Sequence, residues 1–222
     1  MLIAIVIYLL VNVVGYLLGS LSTSIIIGKV FFNVDVRDHG SGNAGGTNAG
    51  RVLGGKAGAI VIIIDILKMA IYHWILVVLF RFTSLQDYVV ADYAVYSGCL
   101  FLALGHCFPI FYDFKGGKAV SVLAGFLLAT NWAVLLITFI SFGITLLAKK
   151  MVSLSSIVGT ITAIITSWLT LIPGTGITFY PLVYSSFWYP LAVTIIGIIL
   201  IILHSSNIKR IMNKTERKIT WI

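Results

Sequence analysis

Charged side chains are scarce in this sequence of 222 residues, and acidic ones are the scarcest, with 7 Asp and Glu against 15 Lys and Arg. Charged residues make up 10% of the chain and hydrophobic residues 59%, and the mean hydropathy is +1.07. Residues 1–28, 119–148 and 151–203 contain no Lys, Arg, Asp or Glu. A membrane-spanning helix needs about 20 such residues. The composition therefore excludes a water-soluble protein and predicts an integral membrane protein.

Cysteine is almost absent as well, since Cys99 and Cys107 are the only two in the sequence. Neither stands at metal-ligand spacing from a histidine, so the sequence indicates no disulfide framework, no metal site and no cofactor. We expect two buried free thiols. A basic segment before the first apolar run is missing too, so residues 1–28 are expected to be a retained first helix and not a cleaved signal.

The net charge of +8 would suggest nucleic-acid binding in a soluble protein. Here the basic residues flank the apolar runs, which is typical of membrane anchoring. The expected partner is therefore the lipid bilayer, and no nucleic-acid partner is expected.

The apolar runs predict an all-α polytopic fold with about seven transmembrane helices, some of them short. Residues 119–148 are divided into two crossings at Asn131, because thirteen of the fifteen basic residues then lie on one side. Basic loops stay in the cytoplasm. The N-terminus is thus expected outside and the C-terminus in the cytoplasm, with an outer turn at 173–181 and with Tyr180 and Tyr184 among the aromatic residues around it at the outer interface. The predicted helices are 2–30, 57–80, 90–108, 119–130, 132–148, 156–172 and 187–204.

Three polar segments and the tail interrupt this single predicted domain, 1–222, on the cytoplasmic side. They cover 33–56, 109–118, 149–156 and 205–222. The first contains GSGNAGGTNAGRVLGGK, with seven glycines in residues 40–56. It fits a dinucleotide fingerprint and falls one residue short of a P-loop. Both are rejected: Asp65, the acidic residue that the fingerprint needs, lies in a membrane helix and is expected to pair with Lys68, and Ala57 replaces the P-loop hydroxyl.

Phosphate remains the expected ligand of this loop. Closely spaced glycines let several backbone N–H groups approach one anion, and Arg51 supplies a bidentate fork. Pure helix packing is the alternative for the glycines, and it suits Gly15 and Gly19 better. The candidate phosphate ligands here are Gly40, Ser41, Gly42, Asn43, Gly45, Thr47, Asn48 and Arg51.

The other segments have the same character. Lys115 and Lys118 flank Gly116 and Gly117, an arrangement that favours an anion site over a simple membrane anchor. His106 is either structural or a group that handles a proton or phosphate. The remaining candidates are Ser153, Ser155 and Ser156, which could equally cap a helix, and Asn207, Arg210 and Glu216 in a tail that could equally lie on anionic lipid.

At these residues the sequence resembles the acyl-phosphate:glycerol-3-phosphate acyltransferase (PlsY) family of bacterial integral membrane enzymes. The matching stretches, in family order, are GSLSTSIIIGK, GSGNAGGTN followed by Arg51, DILK, GHCFPIFYDFKGGK, VSLSSI and NIKR with Glu216. Departures are small: Gly46, Ala119 and Ser205 replace the family's usual residues, and only Ala119 is expected to restrict a loop slightly.

The resemblance implies transfer of a fatty acyl group from acyl phosphate to the 1-hydroxyl of glycerol 3-phosphate, giving lysophosphatidic acid and phosphate. It implies an enzyme in the bacterial inner membrane that works as a monomer, with the site facing the cytoplasm. No covalent intermediate is expected, since phosphate is already a good leaving group, and no histidine is followed by Asp at the fifth position, as a soluble-type acyltransferase would need. Membrane transport of phosphate or a phosphorylated solute is the alternative. The expected catalytic residues are His106, Ser41, Arg51 and Lys115.

Overall fold

The computed structural model describes residues 1–172 and 186–219 and is all-α there, as the sequence predicts. The predicted turn at 173–181, with Tyr180 and Tyr184, lies outside the described residues. The helices are α1 (Leu2–Ser20), α2 (Thr23–Phe32), α3 (Gly46–Leu53), α4 (Gly55–Phe82), α5 (Ala91–Cys107), α6 (Val120–Thr130), α7 (Trp132–Lys149), α8 (Val152–Leu169), α9 (Trp188–Leu203) and α10 (Ser205–Met212).

Five helical segments of the described chain are long and apolar enough to cross a membrane, or six if the bent pair α9 and α10 is one span. They are Leu2–Phe32, Gly55–Phe82, Ala91–Tyr112, Trp132–Lys149 and Val152–Leu169. The apolar runs of the sequence predict about seven. One predicted crossing that is not among these spans is α6. It has 11 residues and is therefore about 16 Å long, whereas the hydrocarbon core of a bilayer is about 30 Å thick.

The predicted division at Asn131 is confirmed. Asn131 adopts an extended conformation and its side chain accepts hydrogen bonds from the N–H groups of Ala133 and Val134. This is the usual geometry of a helix N-cap. The polar residue in an otherwise apolar run therefore ends one helix and starts the next.

Three boundaries differ from the prediction. The single helix predicted for 2–30 is interrupted, because Leu21 and Ser22 are extended between α1 and α2. The predicted loop 33–56 contains the helix α3, whose buried residues are Gly46, Asn48 and Ala49. The helix α8 starts at Val152, so the serines that follow are helical and do not lie in a loop. Short polar segments near glycine give too weak a periodicity to fix such ends.

The helices form two compact units, Met1–Ala129 and Thr130–Ile222. In the first unit, α1 packs on α5 almost backbone to backbone: a Cβ on Gly19 would overlap the carbonyl of Leu102, and one on Gly105 would overlap that of Tyr16. This confirms the close packing predicted for the glycines of α1. Cys99 and Cys107 of α5 are free and buried. In the second unit, α7 and α9 pack against α8.

Candidate active site

Asn48 organises the first glycine loop. Its side-chain N–H groups donate to the carbonyls of Val36 at 2.7 Å and His39 at 3.2 Å, and its side-chain oxygen accepts from the N–H of Ser41 at 2.7 Å. Only 2% of the residue is exposed. Because all these groups already have partners, Asn48 shapes the loop rather than presenting donors to a ligand.

The glycines of this loop divide between turn geometry and helix packing. Gly40 and Gly42 have φ angles of 64° and 72°, a region that strains residues with a Cβ. Gly46 and Gly50 lie on the face of α3 that meets α4: a Cβ on Gly46 would overlap Ile62, and a Cβ on Gly58 would lie 2.5 Å from Gly50. Close helix packing, the alternative explanation for these glycines, thus accounts for part of the glycine content.

The first loop is hydrogen-bonded to the second, residues 109–118. The carbonyl of Gly116 accepts from the N–H of Ala44 at 3.4 Å and from the side chain of Asn43 at 3.3 Å. Arg37 donates to the carbonyl of Tyr112 at 2.9 Å. These three contacts place the two predicted anion-binding loops side by side.

Arg37 is itself held by Asp35, in an ion pair at 2.8 Å. The hydrogen bond from Arg37 holds the pKa of Asp35 well below its ordinary value, against the opposing effect of burial. An ionised Asp35 at all physiological pH values therefore keeps the guanidinium turned toward the second loop. Neither residue was singled out from the sequence, although a carboxylate and a guanidinium two residues apart in DVRD gave a signal.

His106 lies beneath the second loop and is 5% exposed. The N–H of Gly117 donates to the His106 carbonyl at 3.0 Å, and a Cβ on Gly117 would overlap the imidazole ring at Nε2. Gly116 and Gly117 are therefore both required for close packing against His106, besides any contact with a ligand. Ala119, a departure from the family pattern, has a φ of 62°, which is the left-handed region that favours glycine.

The predicted pairing of Asp65 with Lys68 is confirmed, with the charged atoms 2.9 Å apart. Lys68 Nζ also lies 3.4 Å from Nδ1 of His106. The link between this pair and His106 was not predicted, because the two segments are far apart in the sequence and meet only when α4 packs on α5.

In the second unit, Glu216 collects three of the predicted site residues. It accepts from Ser153 at 2.8 Å, from Asn207 at 2.8 Å and from Arg210 at 2.7 Å. Burial disfavours the carboxylate, but these hydrogen bonds outweigh it and hold the pKa of Glu216 below its ordinary value. Ser155 and Ser156 do not join this cluster: their hydroxyls donate to carbonyls four residues earlier in α8.

Several polar side chains on the first unit remain exposed. Ser41 lies in the first loop, Thr47 and Arg51 lie on α3, and Lys115 lies in the second loop, while Lys118 is half-buried. The N-terminus of α3 begins at Gly46 in the same loop. Cations, hydroxyls and a helix N-terminus in adjoining loops can bind phosphate groups. Within the described ranges, no three His, Cys, Asp or Glu side chains come together as metal ligands.

This chain is similar to known proteins along almost its whole length. A family model described as glycerol-3-phosphate acyltransferase matches residues 9–214. The chain belongs to the glycerol-3-phosphate acyltransferase family. A glycerol-3-phosphate acyltransferase of Bacillus subtilis (strain 168) is 40% identical, over 96% of this chain and 98% of the relative. One from Mycoplasma capricolum is 37% identical, over 94% of this chain and 91% of the relative.

Solved structures of glycerol-3-phosphate acyltransferase agree. The crystal structure of PlsY, an integral membrane glycerol 3-phosphate acyltransferase, in its glycerol 3-phosphate form has a TM-score of 0.78 and 30% identity and covers 96% of both chains. Its lysophosphatidic acid form gives a TM-score of 0.77. The protein is thus an integral, multi-pass membrane acyltransferase of phospholipid synthesis that produces lysophosphatidic acid. Membership decides against the alternative of a phosphate transporter.

Neutralising Glu216 should destabilise this acyltransferase. In Glu216→Gln the new amide turns N–H groups toward Ser153, Asn207 or Arg210, which are all donors themselves. The free energy of unfolding should therefore fall by about 1–2 kcal/mol. The expected loss is no larger because Arg210 is partly exposed, and water screens its charge. The ionised carboxylate stabilises the fold fully above its ordinary pKa of 4.5, and this contribution is lost as pH falls through the lowered pKa. The variant should therefore lose less stability on acidification.

Thermal unfolding of the detergent-purified protein between pH 3 and pH 7 measures both effects. Asp87→Asn is the matched control, because Asp87 is exposed in the segment between α4 and α5. A Glu216→Gln protein that unfolds at the wild-type temperature at pH 7 would contradict the assigned role of the three hydrogen bonds.

Proposed function

We propose that the acyl donor is an acyl phosphate, and that the two hydrogen-bonded loops of the first unit hold the phosphate groups of donor and acceptor. The observation that carries this proposal is the double contact of Asn43 and Ala44 with the carbonyl of Gly116. It brings the segment bearing Arg51 next to the segment bearing Lys115. Two phosphorylated substrates need two anion sites within reach of one acyl group, and adjoining basic loops meet that requirement.

The reaction requires little covalent help from the protein. The 1-hydroxyl oxygen of glycerol 3-phosphate attacks the acyl carbonyl carbon, a C–O ester bond forms, and the bond from that carbon to the phosphate oxygen breaks. Inorganic phosphate leaves with the bonding electron pair, and the hydroxyl proton passes to a phosphate oxygen. Positioning and stabilisation of negative charge supply the acceleration, with no covalent enzyme intermediate.

The roles of individual residues follow from their exposure. Arg51 and Lys115 neutralise phosphate charge, and Ser41 donates a hydrogen bond beside them. Because His106 is buried beneath Gly117, we assign it the orientation of the second loop rather than removal of the proton. The remaining phosphate-binding groups are Gly40, Gly42, Asn43, Gly45, Thr47, Gly116, Gly117 and Lys118, while Asn48 holds the first loop in shape. Within the second unit, Ser153, Asn207 and Arg210 are hydrogen-bonded to Glu216, whereas Ser155 and Ser156 bond to the backbone of α8.

The same proposal covers the placement in the membrane. Thirteen of the fifteen basic residues fall on the side of the motif loops when the short helix α6 is counted as a crossing together with the five long segments and the bent pair α9 and α10, and cytoplasmic loops carry the excess of Lys and Arg. We therefore place the site at the cytoplasmic face of the bacterial inner membrane, with the N-terminus outside and the C-terminus inside. The protein works as a monomer and without a cofactor.

The donor assignment is tested with purified protein, labelled glycerol 3-phosphate, and either palmitoyl phosphate or palmitoyl coenzyme A. Labelled lysophosphatidate should form from palmitoyl phosphate, with kcat/KM at least about a hundredfold higher than with the thioester. Equal use of the thioester would refute the donor assignment. Product from the thioester alone would do so as well, while leaving the family activity intact.

A further inference from the structure

A buried ion pair on α4 lies where two other helices meet. Lys68 Nζ lies 3.5 Å from the carbonyl of Gly19 and 3.3 Å from that of Leu21, at the C-terminal end of α1. The hydroxyl of Thr23, in the first turn of α2, donates to Asp65 at 2.8 Å. The cation thus faces a negative helix end and the anion faces a positive one, which favours this arrangement at the interruption between α1 and α2.

The same pair contacts both ends of the second loop. At the end of α5, His106 Nδ1 lies 3.4 Å from Lys68 Nζ and 3.9 Å from Asp65 Oδ1. At the start of α6, the hydroxyl of Ser121 donates to the other Asp65 oxygen at 3.4 Å. Every residue of the second loop lies between His106 and Ser121 in the sequence. The ion pair therefore joins the two ends of this loop.

The contact with Lys68 also fixes the orientation of His106. An ammonium group has hydrogens to donate and no lone pair to accept. We therefore assign the ring hydrogen of His106 to Nε2, which leaves Nδ1 as the acceptor. That edge of the ring lies against Gly117. The imidazole of His106 therefore lies between Lys68 and Gly117, which is one of the two glycines between Lys115 and Lys118.

Stability alone does not explain such a pair. The side chains of Asp65 and Lys68 are 2% and 15% exposed, and burying two charges costs roughly as much as their attraction returns. We propose that Asp65 and Lys68 are positioning residues for acyl transfer, which fix the base of the second loop through His106 and Ser121 and so set where Lys115 and Lys118 stand. This role rests on the proposed phosphate site in that loop.

The experiment compares Lys68→Met, Asp65→Asn and the double variant Asp65→Asn/Lys68→Met with wild type in detergent, using initial rates with glycerol 3-phosphate and palmitoyl phosphate. Each single change leaves one buried charge without its partner, so both should lower the unfolding temperature and reduce kcat/KM at least about tenfold. The double variant, which has no unpaired charge, should regain the unfolding temperature. Its kcat/KM should stay at least about tenfold low, mainly through a raised KM for one phosphorylated substrate.

Three further measurements test the proposal even if one of the variants at Asp65 or Lys68 cannot be purified. Ser121→Ala should raise the same KM about threefold without changing the unfolding temperature. Nitrogen NMR of protein labelled at histidine should show His106 with its hydrogen on Nε2, and this signature should be lost in Lys68→Met. Arg81→Gln, at the other end of the same helix, is the control and should behave as wild type.

Full kinetic recovery in the double variant would overturn the proposal, because it would show that charge balance alone mattered. An unchanged KM in Ser121→Ala would overturn it too. Failure of wild type to use palmitoyl phosphate is a separate result, visible without any variant, and it would refute the donor assignment and not the positioning role.

Discussion

Replacing Arg51 with alanine should lower kcat/KM by about a thousandfold, which corresponds to about 4 kcal/mol of lost transition-state stabilisation. Arg51 is exposed on α3, a helix whose N-terminus opens into the first glycine loop. During transfer, negative charge develops on the carbonyl oxygen and on the leaving phosphate, and a guanidinium can meet a phosphate with two parallel hydrogen bonds. Alanine removes both the charge and the fork.

Two further variants separate these contributions. Arg51→Lys keeps the charge and loses the fork, so kcat/KM should recover only part of the way, to about tenfold below wild type. Lys56→Ala is the matched control, because Lys56 is also basic and exposed and lies five positions along the chain at the start of α4. Rates are measured at saturating palmitoyl phosphate while the concentration of glycerol 3-phosphate is varied, and then at saturating glycerol 3-phosphate while the concentration of palmitoyl phosphate is varied. Wild-type kinetics in Arg51→Ala would remove this residue from the site.

Gly117→Ala should reduce kcat/KM by about a hundredfold. The added methyl group would overlap the imidazole of His106, and the ring cannot easily withdraw because Lys68 lies on its other side. The backbone of the second loop must move instead. A displacement of about 1 Å at a positioning site costs on the order of a hundredfold in rate.

A double variant tests that reason directly. His106→Ala/Gly117→Ala restores the space, so its unfolding temperature should exceed that of Gly117→Ala, while activity stays low because the loop has lost its support. Gly55→Ala is the matched control, since no atom lies within 4 Å of a Cβ built there. Activity of Gly117→Ala within threefold of wild type would show that the loop adapts without loss.

The sequence predicted what depends on composition and local spacing. Runs without charge gave the membrane class, the lone Asn131 gave a helix start, and a separation of three residues gave the Asp65 and Lys68 pair. The interruption after Ser20 was missed because Leu21 and Ser22 are compatible with a helix. Tertiary contacts stabilise the interruption, namely the hydrogen bonds from Lys68 to the carbonyl of Gly19 and from Thr23 to Asp65.

The candidate site shows the same limit. The first loop and the second loop were each predicted to bind an anion, and their chemistry remains a proposal. The carbonyl of Gly116 in the second loop accepts hydrogen bonds from the first loop. The sequence could not predict this contact, because it joins residues more than seventy positions apart. Asn48 illustrates the converse: its residue type suggested a ligand, whereas its burial commits the amide to the loop backbone.

The packing of α1 against α5 has a consequence for synthesis of the protein. About 70 residues separate the two helices, so at about 5–20 residues per second the ribosome needs roughly 4–14 s to deliver the partner of α1. During that interval the first helix stands in the bilayer with Gly15 and Gly19 uncovered. It tolerates this because Leu2–Ser20 contains no charged side chain. A charge introduced on its glycine face should therefore impair insertion before any folded contact exists.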